Sequence, residues 1–177
     1  MKILVLQGSP NRNGSTYMMA NKFIEGAKSV GHDVELVQLA DLDISPCTGC
    51  IACGYEGDCV QADDMEDLLE RILASDMLVF ATPLYYFGVT AQMKAVIDRF
   101  CSKNSSLGEK GLKTALLTVG FDTDDWTFDA LIAHYQAIVR YRTFQDMGMV
   151  LGYGCGSPSM TARSKHLQEA YDLGASL

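Results

Sequence analysis

Five short apolar runs, each followed by a loop and a helical stripe, constrain this chain more than any other feature. They are Lys2–Gln7 (KILVLQ), Val34–Leu39 (VELVQL), Met77–Ala81 (MLVFA), Thr114–Val119 (TALLTV) and Met149–Tyr153 (MVLGY). Strands buried on both faces of a parallel sheet require such nearly continuous runs, whereas half-exposed strands alternate polar with apolar residues. Helical spacing separates them: Met19, Phe23, Ala27 and Val30; then Met65, Leu68, Leu69, Ile72 and Leu73; then Met93, Val96, Ile97 and Phe100. A long helix from about Trp126 to Met147 and a terminal helix over Ser164–Leu177 complete the alternation. The pattern predicts an α/β three-layer sandwich, with helices on both faces of a five-stranded parallel sheet joined by right-handed crossovers.

A chain of 177 residues without repeats or linkers suits one domain, residues 1–177. An apolar content of 48% against 20% charged residues excludes disorder. No apolar run reaches the roughly 18 residues of a membrane-spanning helix, so no membrane association is expected. Met1–Gly8 reads as a strand with no basic leader before it, which points to the cytoplasm. The net charge of −8 argues against nucleic acid as a partner, because a phosphate backbone demands a basic surface. Eight acids and one base lie between Glu56 and Asp76. That stretch is either a solvated helix face or a docking surface for a basic redox protein.

Parallel sheets bind ligands beyond the carboxyl ends of their strands, where the winding reverses. The loops at Gly8–Ser15, Thr82–Gly88 and Gly120–Asp125 are therefore the places to search. The first offers hydroxyls at Ser9, Ser15 and Thr16, amides at Asn11 and Asn13, and a cation at Arg12. With the backbone N–H groups of a helix N-terminus, these suit a terminal phosphate monoester; the alternative is a polar turn with an N-cap. The loop lacks both the three spaced glycines of a dinucleotide fingerprint and the Gly-Lys-Ser/Thr of a nucleotide loop. The second loop, Pro83-Leu84-Tyr85-Tyr86-Phe87-Gly88, sets three aromatics side by side. They either line a cleft for a flat conjugated ligand or form a satellite of the core.

Four of six cysteines, Cys47, Cys50, Cys53 and Cys59, share one loop, an insertion over residues 46–60. Two-residue spacings let three thiolates wrap three corners of a 4Fe–4S cube and the fourth close it. Structural zinc, whose ligands come as separated pairs, and metal-free cysteines remain alternatives. Cys101 and Cys155 fall within apolar patterns and read as small core residues. His32, His134 and His166 form no ligand or nucleophile pattern, and Asp98-Arg99 reads as a structural ion pair or cap.

Strand-GSPNRNGST-helix, PCTGCIACGYEGDCVQADDM and TPLYYFGVTAQMKAVIDR together resemble the flavodoxin-like NAD(P)H-dependent FMN reductases, and among them the iron–sulfur flavoproteins. The likeness spans roughly Met1 to Gly154. It implies the strand order 2-1-3-4-5 and an FMN whose phosphate sits at Ser9–Thr16. The flavin ring would lie against Pro83–Gly88 and a third stretch, Thr118–Asp122, that includes Gly120. It further implies NAD(P)H as co-substrate, a small-molecule electron acceptor or a ferredoxin-like partner, and a homodimer or homotetramer. Catalysis would then need no acid–base pair, because the flavin N5 atom carries the chemistry. The family's phosphate loop commonly reads Ser-Pro-Arg-x-x-Gly-Asn-Thr. Here Asn11 takes the Arg position, Arg12 follows it, and Ser15 replaces the Asn. The anion site survives this because its donors are largely backbone and hydroxyl groups.

Overall fold

The computed structural model describes Met1–Leu177. Strands β1 (Lys2–Gln7), β2 (Asp33–Gln38), β3 (Met77–Pro83), β4 (Lys113–Val119) and β5 (Gln145–Gly152) form one parallel sheet in the order β2-β1-β3-β4-β5. Alternate residues of each strand face opposite layers. Leu4, Leu6, Leu78, Phe80 and Leu116 meet helices α2 (Met65–Ala74), α3 (Ala91–Arg99), α4 (Asn104–Lys110) and α5 (Asp129–Arg142). Ile3, Val5, Val79, Ala115 and Leu117 meet α1 (Ser15–Ser29) and α7 (His166–Ala175). This two-sided burial is the physical origin of the continuous apolar runs.

The expected three-layer sandwich is present, with differences at its edges. The long helix is shorter than its apolar spacing suggests. Thr143 takes a left-handed conformation (φ 53°) that ends α5, and the chain turns straight into β5. That strand begins at Gln145 rather than Met149, because its first residues pair with Lys113 and Thr114 at the sheet's open edge, where polar side chains meet water. Two short helices were absent from the sequence pattern. The first turn of α4 receives the Glu56 carboxylate on the amides of Ser105 (2.6 Å) and Ser106 (3.3 Å). Helix α6 (Pro158–Thr161) has Pro158 in its first turn and Ser157 as N-cap, accepting from the Met160 amide at 3.3 Å.

Helices α1 and α7 cross in backbone contact. A β-carbon on Gly26 would collide with the carbonyl of Tyr171, and one on Gly174 with the carbonyl of Phe23. The crossing presses α7 onto the helix whose other end opens into the first loop. Loops one and two are tied as well: the Thr90 hydroxyl caps α3 and donates to the Gly8 carbonyl at 2.8 Å.

Candidate functional site

The winding reverses between β1 and β3, and there the loops after β1, β3, β4 and β5 enclose a cavity of about 240 Å³. Its phosphate-like end is built by the start of α1. No side chain caps that helix, and no acid occupies its first turn, so its leading amides are free for an anion. Ser9, Ser15 and Thr16 are buried against it and face the cavity together with Asn11 and Gly14. The loop is preorganised from within: the Asn13 amide donates to Asn11 Oδ1 (3.0 Å) and the Asn11 amide to Ser9 Oγ (3.2 Å). Arg12 turns outward instead and pairs with Asp41, so the loop's one cation does not line the cavity; neither does Asn13.

Pro83, Leu84 and Tyr85 form the second wall, and Val119, Gly120 and Phe121 the third. Tyr86, Phe87 and Gly88 project beyond it. Tyr85 and Gly88 exchange backbone hydrogen bonds (3.0 and 3.1 Å), closing a two-residue turn whose central residues, Tyr86 and Phe87, have φ of 46° and 64°. Both signs are those of a type I′ turn, normally an Asn-Gly position. Tyr86 is wholly exposed, while Phe87 packs on Trp126 with ring centroids 5.3 Å apart. Thr118 lies within β4, buried, its hydroxyl without a partner, and Asp122 lies on the exposed rim; neither lines the cavity.

The fourth wall was missed from sequence. Cys155, Gly156 and Pro158 close the cavity after β5, and the Cys155 amide donates to the Gly120 carbonyl at 2.7 Å. The signal available was the Gly154–Pro158 punctuation, with Ser157 as N-cap just before Pro158, a second loop-to-helix junction like that after β1.

The cysteine loop makes a separate cavity of about 360 Å³, lined by Cys47, Cys50, Cys53 and Cys59. Its backbone winds through left-handed residues at Gly49, Ile51, Gly54 and Tyr55, and tight turns close from Gly54 to Ile51 and from Gly57 to Cys53. Arg99 anchors both ends. Its side chain, 2% exposed, grips Asp63 bidentately (2.7 and 3.0 Å) and donates to the Ser45 carbonyl at 3.0 Å. Burial alone would raise the Asp63 carboxyl; the Arg99 hydrogen bonds and the amides of Ser45 and Met65 hold it below the usual carboxylate range. The Ala52 amide and Thr48 hydroxyl favour the thiolate of Cys50.

Cys101 is not a core residue. It is half-buried on the same cavity wall, its Sγ 3.9 Å from that of Cys47, and burial with the neighbouring Cys47 pushes its thiol up to about 12. No three His, Cys, Asp or Glu side chains converge as a single metal ion needs. The thiols of Cys47, Cys50, Cys53, Cys59 and Cys101 line one cavity, and a thiol-rich donor set is the kind an iron–sulfur group takes.

Residues 1–124 match the family described as NADPH-dependent FMN reductase. An iron–sulfur flavoprotein of Archaeoglobus fulgidus is 40% identical over 99 residues, 56% of this chain and 45% of its own length. The chain thus matches about half the length of that relative. A Bacillus subtilis protein provisionally named an NAD(P)H-dependent FMN-containing oxidoreductase is 29% identical over 161 residues, 87% of this chain and 86% of the other. In three dimensions the NAD(P)H:quinone oxidoreductase of Methanothermobacter marburgensis superposes with a TM-score of 0.78 at 18% identity, covering 99% of this chain and 94% of that one. At that identity the likeness is one of fold.

Proposed function

Because the chain belongs to the NADPH-dependent FMN reductase family, we propose that it binds FMN in the four-loop cavity and passes electrons from NAD(P)H to a small quinone-like, metal or oxygen-species acceptor. The observation that carries this reading is the uncapped start of α1, with Ser9, Ser15 and Thr16 turned into a cavity at the β1/β3 switch point. FMN, when bound, supplies hydride acceptance at N5 and redelivery of the electrons. The chain's own residues bind and orient. Ser9, Ser15, Thr16 and the first-turn amides hold the phosphate without a cation, Pro83–Tyr85 and Val119–Phe121 face the ring, and Gly156 with Pro158 closes the cavity's fourth side. Arg12 acts at a distance, by fixing the loop's outer rim to Asp41.

Cys47, Cys50, Cys53 and Cys59 are the residues that would hold a 4Fe–4S cluster, which supplies one-electron steps. The shared cavity, the wound loop and the iron–sulfur flavoprotein relatives support this. In this reading the whole chain is one flavin domain of the cytoplasm with the insertion 46–60. It works as a homodimer or homotetramer in which a second copy covers the exposed Phe121 and Trp126. The exposed acids Asp58, Asp64, Glu66, Asp67 and Glu70, close to the cysteine cavity in the chain, favour a small redox protein with a basic face as a second electron source.

The test is anaerobic purification followed by FMN titration, iron, sulfide and zinc analysis, and NADH and NADPH oxidation with a benzoquinone acceptor. Saturable FMN binding with turnover supports the reading. Turnover only with a reduced ferredoxin, abolished by salt, would replace it with an electron-transfer module. Failure to bind FMN would end it.

A further inference from the structure

The cysteine cavity holds one sulfur more than the spacing motif provides. Cys101 lies 42 positions after Cys59 in the chain, in the 3-10 turn Phe100–Lys103. That turn follows Arg99, whose guanidinium fastens both ends of the cysteine loop. The loop is therefore docked onto the element that carries Cys101, and the docking brings Cys101 Sγ to 3.9 Å from Cys47 Sγ. A second clamp reinforces the first, since the Asn104 amide donates to the Tyr55 carbonyl at 2.9 Å.

We propose that Cys47 and Cys101 are a redox-active pair that closes to a disulfide whenever the cavity holds no metal, withdrawing Cys47 from the thiolate set. Sulfurs in contact at 3.9 Å must approach by about 2 Å to bond. The two partners differ in how they can supply that movement. Cys47 is exposed, on a segment outside any helix or strand, whereas Cys101 is half-buried between α3 and α4. Cys47 moves and Cys101 receives it. The oxidant is a low-molecular-weight disulfide, which reaches the exposed partner first. The Cys47 thiolate attacks it, forming a mixed disulfide and releasing one small thiol. The Cys101 sulfur then attacks the Cys47 sulfur of that mixed disulfide, and the second small thiol leaves with the Cys101 proton. Two S–H bonds become one S–S bond, and two electrons end on the two small thiols released. The pairing depends only on the loop's docking, so it stands whether the metal is iron or zinc.

The experiment uses the full chain, stripped of metal by a chelator under reducing conditions and then treated with oxidised glutathione. Free thiols are alkylated in denaturant before trypsin. Cleavage after Arg99 and Lys103 isolates Cys101 on the tetrapeptide Phe100–Lys103, apart from the peptide Ser29–Arg71 that carries the other four. The expected result is a linked pair of these peptides, lighter by two hydrogens, whose fragmentation places the bond on Cys47. The alkylated tetrapeptide should be lost in parallel. C101S, a near-isosteric control, should give no such link. Full alkylation of Cys101 in the oxidised wild type would overturn the proposal, as would a bond from Cys101 to Cys50, Cys53 or Cys59.

Discussion

Tyr86→Asn should make this protein more stable, although it removes a large aromatic from the rim of the cavity. Tyr86 occupies the first central position of the Tyr85–Gly88 turn with φ of 46°. An L-residue with a bulky side chain costs about 1–2 kcal/mol in that region, and Asn much less because its short side chain bonds locally. Tyr86 is fully exposed, so the substitution forfeits no packing in the isolated chain. The net gain is about 1 kcal/mol, which for a chain of this size raises Tm by about 2–4 °C. Phe87→Gly relieves similar strain at φ of 64°. It also loses the Trp126 ring contact, worth about 0.5–1.5 kcal/mol, so its Tm should barely move. Differential scanning calorimetry of the flavin-free protein reads both. If strain is kept because the aromatic serves a ligand, Tyr86→Asn should raise the KM for nicotinamide or acceptor while Tm rises. A Tm for Tyr86→Asn at or below wild type refutes the strain argument.

Four further expectations concern other parts of the molecule. Thr16→Ala should weaken FMN binding by about 1–3 kcal/mol, the cost of losing a hydrogen bond to a charged group; wild-type affinity in Ser9→Ala, Ser15→Ala and Thr16→Ala alike would show the loop to be misassigned. Asp63→Asn strands the buried Arg99 charge and should cost about 3–5 kcal/mol at neutral pH in urea unfolding. Because the folded carboxyl is held down, its contribution is complete above the unfolded value of about 3.9 and fades as pH falls through the folded one, so the two unfolding curves should converge in acid. Cys53→Ala should leave FMN affinity intact but abolish iron retention after anaerobic reconstitution, and equal iron in both proteins would remove Cys53 from the ligand set. Gly174→Ala drives a methyl into the Phe23 carbonyl and should destabilise by about 1–3 kcal/mol, measurable as a lowered urea midpoint.

The sheet was legible because its strands are covered on both faces, so Lys2–Gln7 and Met77–Ala81 announce themselves without alternation. Legibility failed where a segment answers to distant partners. Gln145 and Asp146 look helical or irregular by composition, and only pairing with Lys113 and Thr114 makes them strand. Helix α4 has a polar, serine-rich start whose amides are satisfied by Glu56 from another loop. The first loop and Pro83–Tyr85 could be placed because strand ends locate them. Arg12 looked like the anion's counterion by type, but Asp41 competes for it. Cys155 and Gly156 lie beyond the Met1–Gly154 stretch that carried the resemblance, and Cys101 joins the cysteine loop only through tertiary clamps, at Arg99 and at Asn104.

The glycine crossing of α1 and α7 also imposes an order of events during synthesis. Helix α1 is made early, directly after the first strand, yet its partner leaves the ribosome only after all five strands. Chains grow N-terminus first, at about 5–20 residues per second. Until α7 arrives, Met19, Phe23 and Ala27 lack part of their cover, and the helix whose first turn forms the anion cradle is held from the sheet side alone. A nascent chain can thus possess every phosphate-facing hydroxyl and still hold the cofactor weakly. If FMN binds as proposed, its loading is expected late, coupled to the docking of α7, and a ribosome stalled before Ser164 should display a sheet without a competent flavin site.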